Sequence, residues 1–138
     1  MALITRDQVE GVIGAAQVAE LTRHDPGGEG AATGDPAVIT LILGQVDDWL
    51  QEYATEAGTK LTTESMTASL VRRGAIAFGH MAGLRRPDLF DKNGDPPYAR
   101  AFAGVERSMD AWTAKALTLS TEDVAVGPLV LSDDPQGW

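Results

Sequence analysis

Chemistry in this chain of 138 residues would have to start from two histidines and a scatter of carboxylates. Glu20 and His24 stand four residues apart, a spacing that places both on one helix face and that a metal pair can use. No third ligand is evident, and His24 falls where a helix gives way to glycine-rich sequence. It reads as a surface histidine near a helix C-terminus. His80 lies among Ala77, Phe78 and Met81 and reads as a satisfied histidine of a bundle or interface, not as a base. Asp91-Lys92-Asn93-Gly94-Asp95 alternates oxygen donors as a calcium loop begins. The glycine such a loop needs would fall on Pro96 and its final bidentate acid on Phe102, so the segment reads as a turn. The glycine-rich stretch 23–35 lacks the Lys-Ser/Thr of a phosphate cradle, and no strand precedes it. With no cysteine, disulfides, thiolate catalysis and cysteine-based zinc sites are all removed. The chain therefore reads as non-enzymatic, with no catalytic, cofactor or metal residues.

Charge offers contact surfaces instead. Arg72, Arg73, Arg85 and Arg86 form the one basic concentration, suited to an acidic partner surface or to DNA phosphates, or else a solvated helix face. No aromatic residue interleaves with them to stack bases, so sequence-specific nucleic-acid reading is not expected. Asp47, Asp48, Glu52 and Glu56 make an acidic ridge whose members repel one another and would tolerate a facing arginine surface. Residues 1–58 carry ten acids and two bases, whereas residues 59–117 carry nine bases and six acids. With a net charge of −9, general nucleic-acid binding is disfavoured. An acidic front can pack against the mildly basic middle of an identical copy.

These residues need helices to position them. Thr5-Arg6-Asp7-Gln8 reads as a capping box, and Val9, Val12 and Ile13 give an apolar stripe that Gly14 interrupts. A second short helix runs through Val18 and Leu21, followed by the loop at 23–35. Asp35-Pro36 is a helix start, a capping carboxylate before a proline. From Val38 through Ile42, Val46, Leu50 and Tyr53, apolar residues recur at helical spacing until Gly58. A next helix is predicted to open near Thr62-Thr63, to turn Met66, Leu70, Phe78, Met81 and Leu84 inward, and to stop at Arg85-Arg86-Pro87. Asp95-Pro96 repeats the cap-plus-proline start. Tyr98, Phe102, Val105, Met109, Trp112 and Ala116 then form the seam of a last helix.

The expected fold is all-α. Three long helices, with one or two short N-terminal helices before them, form a small bundle over residues 1–117. Residues 118–138 are expected to be an extended C-terminal arm, because Val and Leu around Gly127-Pro128 favour extended backbone with a turn. Leu129, Val130, Leu131 and Trp138 are its candidate protein-interface residues. The N-terminus does not read as a secretory signal, and no apolar stretch is long enough to span a membrane, so an intracellular soluble protein is expected.

The layout resembles the head-completion or head–tail adaptor proteins of tailed phages, in particular the Mu-like head-completion family. The likeness lies in the order of helices, in Val46-Asp47-Asp48-Trp49-Leu50-Gln51-Glu52-Tyr53 ending the first long helix, and in Leu70, Arg72 and Ala75 on the next. It covers residues 1–117 and carries no catalytic signature; the 59–65 segment lacks the family's prolines. What it implies is a structural virion protein of the neck, assembled in the bacterial host cytoplasm. Such a protein forms a homo-oligomeric ring, dodecameric by resemblance, beneath the portal protein. The ring meets a tail or stopper protein and lies close to packaged DNA without reading it. The alternative is a small helical protein-binding or regulatory module whose tail masks its own groove.

Overall fold

The structure, a computed structural model, describes residues 3–23 and 34–126, with side chains described as far as Leu117. Among the described residues there are five α-helices and no strand. Helix α1 (Arg6–Ile13) opens on the expected capping box: Gln8 N–H donates to Thr5 Oγ1 at 3.2 Å, and Thr5 N–H donates to Gln8 Oε1 at 2.9 Å. Gly14, at φ +97°, ends α1 in a conformation that side-chain-bearing residues avoid, and α2 (Ala15–Thr22) starts directly after it. In α3 (Pro36–Glu56), the Asp35 carboxylate accepts from Ala37 N–H at 2.9 Å. Helices α4 (Ala68–Gly83) and α5 (Ala99–Val126) complete the bundle.

Helix α4 is the hub and touches each of the other four. Its buried residues are mostly small, namely Gly74, Ala75, Ala77, Gly79, Ala82 and Gly83, and that is why neighbours approach it so closely. A Cβ at Gly74 would stand 3.1 Å from Ile4, at Gly83 3.0 Å from Pro97, and at Gly79 2.9 Å from the Tyr98 ring. Around the hub, Ile4, Val9, Val18, Leu21, Ile42, Val46, Leu50, Phe78 and Met109 are fully enclosed. Each large aliphatic among them contributes about 1.5–3 kcal/mol by leaving water.

The chain start is fastened to α3 as well. Leu3 N–H donates to Asp47 Oδ1 at 3.0 Å, which turns Asp47 away from the acidic ridge and into the bundle.

Three boundaries differ from the sequence expectation. Thr62 to Ser65 closes a separate 3₁₀ turn with its own capping box, and α4 begins later, capped by Thr67 Oγ1 accepting from Leu70 N–H at 3.1 Å. Leu84, expected inward, is the residue just past α4 and is exposed. Asp95 does not cap α5, which starts at Ala99. The expected start there overlooked Pro97, since a residue before proline disfavours the helical region, and Tyr98 enters at φ +66°.

The arm differs as well. Helix α5 runs to Val126, so Thr118–Val126 is helical and not extended. The β-branched residues there cost a helix only tenths of a kcal/mol each, too little to break it. Leu129, Val130, Leu131 and Trp138 lie outside the described residues.

Candidate functional site

An acidic and aromatic cleft runs between α3 and α5. Trp49, Glu52, Tyr53 and Glu56 occupy one face of α3 at steps of three, one and three. Glu106 and Asp110, four apart on α5, close the other side of a cleft of about 280 Å³. Trp49 and Tyr53 stand edge to face, centroids 5.3 Å apart and planes at 81°, and Trp49 rests on Phe102 at 5.5 Å. A shallower recess lined by Asp48, Gln51, Glu52, Thr55 and Glu56 continues around α3.

Among the described residues the groove carboxylates have no ion-pair partner. Among the described residues the ion pairs are Arg6–Glu10 at 2.9 Å, Arg23–Glu20 at 2.9 Å, Arg86–Glu20 at 3.4 Å and Arg86–Asp88. None involves Asp48, Glu52, Glu56, Glu106 or Asp110. Their field is felt by Tyr53, whose phenol is raised first by burial and then by Asp110, Glu106, Glu56 and Glu52. Asp47 is raised by burial, against the lowering effect of its bonds from Leu3 and Ile4 N–H. Among the described residues no three potential ligands converge to hold a metal. Half-buried aromatic rings beside unpaired carboxylates suit a guanidinium or ammonium group, held by charge and by ring faces together.

The four arginines separate into distinct environments. Arg72 is exposed on α4. Arg73 is half-buried, with Nη1 3.8 Å from the Met109 sulfur. Arg85 is exposed just beyond α4, about 20 Å along the axis from Arg72 at 1.5 Å per residue. Arg86 is 7% exposed and is consumed internally, which removes it from the contact group expected from sequence. Its Nε donates to Asp88 Oδ1 at 2.9 Å, Nη1 donates to the Glu20 carbonyl oxygen, and Nη2 meets the Asp88 and Glu20 carboxylates. Adjacency in sequence concealed this division: Arg85 is exposed, whereas Arg86 is buried on its partners Glu20 and Asp88.

The remaining candidates resolve as follows. Glu20 is engaged by Arg23 and Arg86, and His24 lies outside the described residues. Asp91 Oδ1 accepts from the N–H groups of Asn93 at 2.8 Å and Asp95 at 3.0 Å, a turn as expected. His80 is not the satisfied histidine expected: Nδ1 is buried without a hydrogen-bond partner among the described residues. Sequence reading missed Glu106 and Asp110. Their signal was an acid pair four apart, flanking a seam that contains Phe102, Val105 and Met109.

Comparison with known proteins finds no matching family model, no matching curated protein and no matching solved structure. Among the described residues no helix is long and apolar enough to cross a membrane.

Proposed function

We propose that this chain is a structural protein of the neck of a tailed phage or phage-like particle, a head–tail adaptor of the head-completion kind. Copies form a ring beneath the portal protein, join the capsid to the tail or its stopper, and surround the DNA channel. The observation that carries the reading is the unneutralised acidic groove of α3 and α5, set in a subunit whose exposed Arg72 and Arg85 have no carboxylate partner among the described residues. An acidic groove on a chain with exposed cations elsewhere favours head-to-tail contacts, and such contacts close into rings when the rotation allows.

The helix order and the patterns around Trp49 and Arg72 that resemble the head-completion family support the same reading. Ala75 and Leu70 of that pattern are buried and build the α4 hub, while Arg72 is left at the surface. Leu129, Val130, Leu131 and Trp138 are assigned in this proposal to contact with a neighbouring copy or the portal.

Sedimentation of the purified chain over a range of concentrations and salt tests it. Oligomers larger than a dimer that dissociate as salt rises are expected, since exposed charge contacts are screened. A monomer at every concentration and ionic strength overturns the ring.

A further inference from the structure

Helices α4 and α5 meet where His80 lies flat on Phe102, ring centroids 4.2 Å apart and planes within 7°. The same Phe102 ring meets Trp49 of α3, and Trp49 meets Tyr53. One run of four rings therefore joins α4, α5 and α3 and ends in the walls of the acidic groove. Within that run the Nδ1 atom of His80 is buried and has no hydrogen-bond partner among the described residues. A neutral ring tolerates this by leaving one weak acceptor unused. A charged ring must bury an N–H and a positive charge that water would otherwise solvate.

We propose that His80 is a proton-operated pin: charging its ring loosens the N-terminal half of α5 from α4 and so opens the groove that α5 forms with α3. The groups that could oppose this are few. From α5, Glu106 lies one turn beyond Phe102 and favours the charged ring, but burial outweighs it and holds His80 below the ordinary value of 6.5. From α3 the approach is through Trp49, with the Tyr53 phenol beyond it neutral well past physiological pH. Before α5, the Tyr98 phenol reaches Gln17 at 3.5 Å, and on α4 itself Arg73 is directed to Met109.

The direction follows from linkage. The opened form binds the proton more readily than the closed form, so closure is fully favoured above the ordinary histidine range. It weakens as pH falls through 6.5 toward the depressed value of the closed form.

The test is amide hydrogen exchange of residues 99–110 in the full chain at about pH 7.5 and about pH 5, corrected for intrinsic rates, with a proton NMR titration of the His80 ring. The wild-type chain is expected to lose about ten-fold more protection on acidification than His80→Phe, which keeps the stacked ring but cannot take a proton. The ring is expected to titrate below 6.5, and lower still in Glu106→Gln. If His80→Phe does not fold, His80→Gln serves as the uncharged control with the same expectation. Equal loss of protection in wild type and control, or a ring titrating at or above 6.5, overturns the pin.

Discussion

Arg86 donates a hydrogen bond to the carbonyl oxygen of Glu20, which ties the exit of α4 to the last turn of α2 across 66 residues of sequence. The last carbonyls of a helix have no partner inside it, and a cation there also meets the negative end of the helix dipole. Arg86→Ala leaves that carbonyl without its donor, at a cost of about 1.5–3 kcal/mol. Arg86→Lys should recover only part, because one ammonium cannot match a fork that spans Glu20 and Asp88. Urea unfolding of the two variants gives the comparison, and equal stability of Arg86→Ala and wild type would remove Arg86 from the account of the fold.

The α4 hub makes its own prediction. A methyl at Gly79 would meet the Tyr98 ring at 2.9 Å, so Gly79→Ala is expected to destabilise the bundle by about 1–3 kcal/mol. Gly44, on the exposed side of α3, has nothing within 4 Å of its added Cβ, and Gly44→Ala is expected to stabilise by up to about 1 kcal/mol. Thermal melts that rank the two the same way would contradict the packing described.

Phe102 connects three helices through its contacts with His80 and Trp49. Phe102 is partly buried, so Phe102→Ala is expected to cost about 1.5–3 kcal/mol. Trp49 loses its tilted neighbour at the same time, so its fluorescence should shift toward that of a solvated indole. An unchanged spectrum in a folded variant would place Trp49 elsewhere.

The two tyrosines set the alkaline response. Burial raises Tyr53 and Tyr98 above 10.0, and at Tyr53 four carboxylates push the same way. Above pH 10 the unfolded chain releases these phenolic protons first, so the folded state binds more protons and stability falls as pH rises. Replacing Glu106 and Asp110 by Gln and Asn should bring the Tyr53 titration, followed by phenolate absorbance, back toward 10.0. No movement would mean that these acids do not reach Tyr53.

Charge reversal in the groove separates contact from folding. Glu52→Lys with Glu106→Lys inserts cations where unpaired carboxylates stood, so the isolated subunit should keep its helicity while salt-sensitive oligomers are lost. Circular dichroism read beside sedimentation distinguishes a folded monomer from an unfolded chain. Oligomers that survive the double change would exclude the groove as a subunit contact.

The elements with local signals were readable. Thr5 to Gln8 announced α1, Asp35-Pro36 announced α3, and the apolar steps from Val38 to Tyr53 carried that helix to its end. The start of α5 was misread because a proline normally opens a helix, whereas Pro97 after Pro96 delays it. The expectation of extended backbone over Thr118–Val126 gave its β-branched residues too much weight against a helix. The groove was only half legible. Glu52 and Glu56 advertise a ridge by their spacing, but nothing local says that Glu106 and Asp110, more than fifty residues later, face them. Arg86 looked like surface charge for the same reason: its partners on α2 are set by tertiary packing.

The proposed neck-adaptor role is tested most directly by electron microscopy of the purified chain mixed with the portal protein that the proposal requires in the same genome. The account predicts ring-shaped assemblies seated on the portal, lost in the Glu52→Lys/Glu106→Lys variant. Bare portals beside a chain that stays monomeric at high concentration would contradict it.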